Sequence, residues 1–305
     1  MKLNIPEGFL EREERCGYVI EPEMKKVWAS EIELFALFDD VCKKYDIPYF
    51  WAYGNLLGAA RHKGFIPWDD DIDVFVKRED YERLCEVAEK EFTAPYFWQN
   101  DHTEWGSHIA FSKLRNSNST AILDFEKPYG YTYNQGAFLD VFPLDNAPDN
   151  DTEFEKHAKK IVLFKKLTGK WSRMFEGKKL WFNRKWMYLT AILLFIPRLI
   201  VRAFKIPNIP CRLLEKEMQR YRNQKTSFLA MTALGETKRY PKSCFEGAVM
   251  LPFEFFEVPA PSGYLELLDI DYGDWQVFKR GAAGGCMHDG MFYDTENSYI
   301  KYIHR

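Results

Sequence analysis

The chain has 305 residues, 46% hydrophobic and 29% charged, enough for a sizeable core and too apolar for general disorder. Lys and Arg total 42 against 45 Asp and Glu, and a net charge of −3 excludes a protein that lives by neutralising nucleic-acid phosphates. Six cysteines (Cys16, Cys42, Cys85, Cys211, Cys244 and Cys286) stand singly, without the CxxC spacing of a zinc or redox site. Glu7, Glu11, Glu13 and Glu14 with no early apolar run argue against a secretory signal, so reduced thiols in the cytoplasm are expected.

Apolar residues at three- and four-residue steps predict a helix over 24–45, closed by Asp46-Ile47-Pro48. A strand over 49–53, a turn at Gly54-Asn55 and a short helix over 56–61 follow. Residues 71–76 read as a strand and 78–91 as a helix, with further strands expected over 108–114, 121–125 and 137–142. Strands mixed with helices give an α/β or α+β class. Beyond Pro148 the pattern turns helical, over 151–167 with Asp151 or Thr152 as cap, and over 211–225. The tail reads as strand over 244–258, helix over 264–272 and a Gly-rich loop over 281–285, with His288 and Asp289 beside it. Three parts are expected: a catalytic core over 20–148, a helical subdomain over 149–240, and a C-terminal part over 241–305 packing back on the core.

Between the helices lies a basic and apolar stretch, 178–205. Its apolar run is too short to span a bilayer, which needs about 20 residues. Arg198, Arg202 and Lys205 share one helix face, with Arg184 near the same stripe. Two readings stand: a helix lying peripherally on an anionic membrane surface, or a buried helix whose basic edge is solvated.

The chemistry concentrates in residues 54–74, GNLLGAARHKGFIPWDDDIDV. Asp71 and Asp73 are two apart at a strand start, so their carboxylates emerge on one face. Two such charges about 4 Å apart repel by about 4 kcal/mol at an effective dielectric near 20, and a fold retains them only with a compensating cation, a shared proton or water. Mg²⁺ or Mn²⁺ suits them, taking carboxylate, water and phosphate oxygens. Asp140, alone in an apolar strand, would complete the cluster from a neighbouring strand. Gly54 and Asn55, where a strand meets a helix, suit a phosphate. Two readings stand for Arg61, His62 and Lys63, neutralising a diphosphate or forming a solvated loop; Lys113 and Arg115, which share a strand face, are candidates for the first role. Trp68 would wall the site or stack on a base, although core is the commoner fate of an aromatic. An EF-hand fails because Val74 stands where Gly is needed.

The order of parts matches a nucleotidyltransferase core of the polymerase-β type, with a mixed sheet and a helical insertion. More closely, residues 53–81, YGNLLGAARHKGFIPWDDDIDVFVKREDY, resemble the signature of the LicD family, which includes the fukutin and fukutin-related catalytic domains. Lys113-Leu114-Arg115, FLDVFPLD over 138–145, and EVPAPSGY and YGDW within 257–275 support the resemblance; residues 150–240 add nothing to it. It implies a phosphotransferase that moves a phospho-alcohol, phosphocholine from CDP-choline above all, onto a sugar hydroxyl of a glycan, releasing CMP. Asp71 and Asp73 would be metal ligands, and Asp140 the third ligand or the base. The acceptor would be a lipopolysaccharide or teichoic-acid precursor, commonly lipid-linked at the inner membrane face. A glycosyltransferase using a nucleotide sugar through a DxD motif, or a catalytically inactive glycan- or membrane-binding adaptor, are the alternatives.

Overall fold

The computed structural model describes residues 4–124, 126–127, 130–175, 185–278 and 291–303, with backbone alone for 185–192 and 194. The loop expected over 281–285, His288, Asp289, Arg184 and the start of the 178–205 stretch lie outside the described residues.

In chain order the elements are β1 (Glu13–Arg15), β2 (Tyr18–Ile20), α1 (Pro22–Lys44), β3 (Phe50–Trp51), α2 (Tyr53–Leu57), β4 (Asp73–Lys77), α3 (Arg78–Glu91), β5 (Tyr96–Gln99), β6 (Ser112–Asn116), β7 (Thr120–Leu123) and β8 (Ala137–Ala147). There follow α4 (Asp151–Trp171), α5 (Lys185–Ala203), α6 (Ile209–Met218), β9 (Phe228–Ala230), β10 (Tyr240–Pro241), β11 (Ala248–Phe253), β12 (Phe256–Pro261), α7 (Tyr264–Tyr272), β13 (Met291–Asp294) and α8 (Ile300–Ile303). The expected mixed α/β architecture is present.

The long strand β8 organises the sheet. One edge pairs in parallel with β4, which pairs antiparallel with β3. Its other edge takes β6 along Ala137–Val141 and β9 along Asp145–Ala147, both antiparallel. Strands β9 and β10, from beyond the α4–α6 helices, thus return to the same sheet.

Strand alternation sorts the side chains between two apolar layers. Val74, Val76, Leu139 and Val141 join Trp28, Phe35 and Phe38 of α1 and Leu84 of α3. Phe75, Phe142 and Leu144 join Leu214 of α6 and Leu267 and Leu268 of α7. Asp73 and Asp140 have the parity of Phe75 and Phe142, so both emerge on this second face at its open end.

Several boundaries differ from the expected ones. Gly54-Asn55 lies inside α2, because Tyr53, at φ +42°, already turns the chain out of β3. Residues 58–62 continue α2 as a wider turn ending at Lys63, at φ +56°. The strand expected over 108–114 is shifted to 112–116, behind His108 at φ +48°. Asn150, not Asp151 or Thr152, caps α4 by accepting from the Glu153 amide. The helix expected over 211–225 ends at Met218, and the 244–258 strand is a hairpin turning at Glu254. The five described cysteines are free thiols.

At the end of β4, Arg78 donates Nε and Nη2 to the two Asp145 oxygens at 2.7 Å, and both side chains are buried. Arg78→Ala would strand the carboxylate, so urea unfolding should show a loss of about 3–5 kcal/mol.

Candidate active site

The acidic segment 69–73 is held through its backbone by three elements. Asp69, Asp70 and Asp71 offer consecutive carbonyls. Trp28 Nε1 of α1 donates to the first at 2.8 Å, Tyr293 Oη of β13 to the second at 2.6 Å, and Asn55 Nδ2 of α2 to the third at 2.7 Å. Asn55 Oδ1 also accepts from the Asp73 amide at 2.6 Å, so one buried amide clamps both sides of Ile72. Of the acids Asp69, Asp70, Asp71 and Asp73, the last opens β4 and the others precede it. Asp70 is buried, whereas the other three keep partial exposure.

Gly54 lets the Asp69 carboxylate sit against α2. A Cβ there would lie 2.5 Å from Asp69 Oδ2, so helix and acid approach only because the side chain is missing.

Register carries the site across three strands. Asp140 of β8 lies opposite Asp73 in β4 and opposite Lys113 in β6. Lys113 Nζ donates to Asp140 Oδ1 at 2.6 Å and Oδ2 at 2.8 Å, within a buried pair. Phe138 lies 3.5 Å beneath the ammonium. Burial and the charges of Asp71, Asp140 and Asp69 push the Asp73 carboxyl well above the usual carboxylate range, with Lys113 pulling the other way. Asp69 is raised likewise, by burial and by Asp71 and Asp70.

The three-acid set expected of Asp71, Asp73 and Asp140 is therefore not assembled as a cage, because Lys113 already holds Asp140. Among the described residues no three acid, His or Cys side chains are grouped to enclose an ion.

The other expected residues divide. Lys113 and Arg115 do share a strand face, both over the Phe138 ring, but Arg115 is buried and gives Nη1 to the Gly136 carbonyl at 2.7 Å. Arg61 reaches the YGDW stretch, donating to the Trp275 carbonyl at 2.8 Å and to His62 Nε2 at 3.0 Å. His62 was expected to be a cation, yet burial, then Arg61 and Arg15, lower its pKa to about 4, so it is neutral at pH 7. Lys63 is exposed. Trp68 is core, between Tyr18 and Phe278. Asn55 acts on the acid segment through both ends of its amide.

Sequence reasoning missed Asp69, although the alternation extends back to it. Two further groups were missed. Glu31 of α1 is buried with Oε2 unpartnered, and burial followed by Asp70, Asp71, Asp69 and Asp73 raises its pKa far above the carboxylate range. Tyr272, ending α7, is raised by burial, by Asp271 and by the acids Asp69, Asp73 and Asp71. The YGDW stretch thus lies by the acidic segment.

A strand-borne row of acids beside a glycine-opened helix, on a mixed sheet, defines a nucleotidyltransferase-like protein. Residues 46–182 match the family model described as LicD/FKTN/FKRP, nucleotidyltransferase domain. The lipopolysaccharide cholinephosphotransferase LicD of Haemophilus influenzae is 27% identical over 267 residues, covering 83% of this chain and 92% of that protein. Uncharacterized proteins of Rickettsia prowazekii and Rickettsia typhi are 39% and 34% identical over 96 and 77 residues, covering 32% and 25% of their lengths and 30% and 23% of this chain. Residues 46–182 are thus similar to the LicD nucleotidyltransferase domain, and the similarity to the Haemophilus protein runs over most of both chains.

Asn55→Ala removes both clamps on residues 71 and 73. A stability loss of about 2–4 kcal/mol is expected in urea melts.

Proposed function

We propose that the chain is a transferase moving phosphocholine from CDP-choline onto a sugar hydroxyl of a surface-glycan precursor, releasing CMP. The observation that carries this is the row Asp73, Asp140, Lys113 across three adjacent strands, with Asp71 and Asp69 alternating before it. The relative named as a lipopolysaccharide cholinephosphotransferase, aligned over most of both chains, supports the choice of phosphocholine and of a glycan acceptor.

Carboxylate oxygens are the ligands a hard divalent cation takes, and Mg²⁺ commonly uses one or two of them with water and substrate phosphates instead of a full protein cage. Asp71 and Asp73 fit that description, and Asp140, engaged by Lys113, does not need to be a ligand. Such an ion, when bound, supplies positive charge against the donor's diphosphate.

The remaining work falls to side chains. The acceptor oxygen forms a bond to the choline-bearing phosphorus, and the bond from that phosphorus to the CMP oxygen breaks. The hydroxyl proton passes to a carboxylate of the row, for which Asp140 is our assignment. Lys113 has three donors, uses two on Asp140, and has one to offer a phosphate oxygen. Arg61 and Lys63 stand on the turn that follows α2, where the diphosphate would enter. His62, being neutral, contributes no charge there.

With Mg²⁺ and CDP-choline, mass spectrometry should find CMP and a phosphocholine-bearing glycan. Asp71→Asn, Asp73→Asn and Asp140→Asn should each slow this at least about a hundredfold. Turnover with UDP-sugars instead would establish the glycosyltransferase reading, and no turnover with either donor the adaptor.

A second expectation needs no turnover. The folded state raises the proton affinity of Asp73 above its ordinary value of 3.8, so its contribution to stability is full below that pH. It is lost as pH rises through the raised folded value. Without divalent ions, Asp73→Asn should therefore melt higher than the wild type at pH 7, and the gain should shrink towards pH 4. Mn²⁺ should raise the wild-type Tm at pH 7 and leave that variant nearly unmoved.

A further inference from the structure

Helix α5 presents an unusual face. Leu193, Phe195, Ile196, Leu199 and Ile200 are 74, 60, 66, 52 and 47% exposed, and Phe204, one residue past the helix, is 76% exposed. At about 100° per residue these six cover about half of the helix circumference, one continuous stripe. Opposite the stripe, Val201 is buried in a cluster with Tyr131, Tyr133 and Phe175, and Arg198 Nε donates to the Arg173 carbonyl at 3.0 Å. The buried-helix reading of this stretch therefore fails for the described side chains: one edge is anchored and the apolar face is open.

We propose that α5 is an interfacial anchor that lies in the plane of an anionic lipid bilayer. The six apolar side chains enter among acyl chains, and Arg202, exposed at the edge of the stripe, meets lipid phosphates together with Lys205, exposed just past the helix.

Two observations select lipid over protein, and a third bears on depth. Apart from its arginines, the segment 193–204, LLFIPRLIVRAF, has no side chain able to hydrogen-bond. A protein interface needs about one hydrogen bond per 100–200 Å², and hydrocarbon needs none. Charge agrees: in a chain of net charge −3, residues 171–205 hold eight Lys and Arg against one Glu. Depth agrees too. Among the described residues no helix is long and apolar enough to cross a membrane, and Pro197 inside α5 removes a helical N–H, tolerable at the interface where water reaches the freed carbonyl.

The full chain should be floated with vesicles of phosphatidylcholine alone and of phosphatidylcholine mixed with phosphatidylglycerol. Binding is expected to the mixed vesicles and to weaken with salt. Phe195→Ser with Phe204→Ser should reduce it at least tenfold. Arg202→Gln with Lys205→Gln should cost about fivefold per charge at low salt. All four positions are outside the acidic site, so CMP release with a soluble acceptor should be unchanged if the transferase reading holds; flotation stands whether or not it does. Failure of the wild type to float, or flotation unchanged in both variants, would overturn the proposal. So would a wild-type oligomer that the Phe variant dissociates without vesicles, since the stripe would then serve a second copy.

Discussion

Repulsion among carboxylates is the constraint around which this fold is built. A segment with acids at alternate positions gathers like charges, and Asp140 is added to the same row from the next strand. The favourable relaxation would be to twist the backbone and let them part. Trp28, Tyr293 and Asn55 oppose this by holding three consecutive carbonyls from α1, β13 and α2. Those holds come from residues 28, 55 and 293, so the geometry of the acids depends on packing across almost the full chain.

Much of this was legible in the residues. Helices 78–91 and 264–272 fall where expected, the second between Gly263 and Gly273. Strand β8 was expected over 137–142, yet it runs through Pro143, which cannot donate, to Ala147. Asp140 donates towards β4, so by alternation the nitrogen of residue 143 faces the other edge. There β6 has ended at Val141 and β9 begins only at Asp145, so the missing N–H falls in a gap between partners. That tolerance is a property of the neighbours and is invisible in the strand itself.

The site divides in the same way. Period two and a lone acid in an apolar strand pointed to Asp71, Asp73 and Asp140, and register does place Asp140 opposite Asp73. Nothing local shows that Lys113 lies opposite Asp140, since cross-strand register is a long-range fact. His62 looks like one cation in a row of three; burial beside Arg61 makes it neutral. Asn55 looked like a phosphate contact. Its side-chain amide, one donor and one acceptor, in addition matches one carbonyl and one N–H two residues apart, an interaction only folding reveals.

The charge balance of the row has a consequence for how an anionic substrate can be received. A diphosphate brought within about 4 Å of an uncompensated carboxylate meets about 4 kcal/mol of repulsion per pair at an effective dielectric near 20. Lys113 cannot cancel this alone, because two of its three donors are already directed at Asp140. On the proposed reading, positive charge would therefore arrive before the diphosphate or together with it. The backbone holds on residues 69–71 then acquire a purpose under the proposed function: they fix the acids in the absence of substrate, so that little reorganisation would remain if a cation and donor bind. A looser segment would fold with less repulsion and would have to recover the same geometry at every turnover.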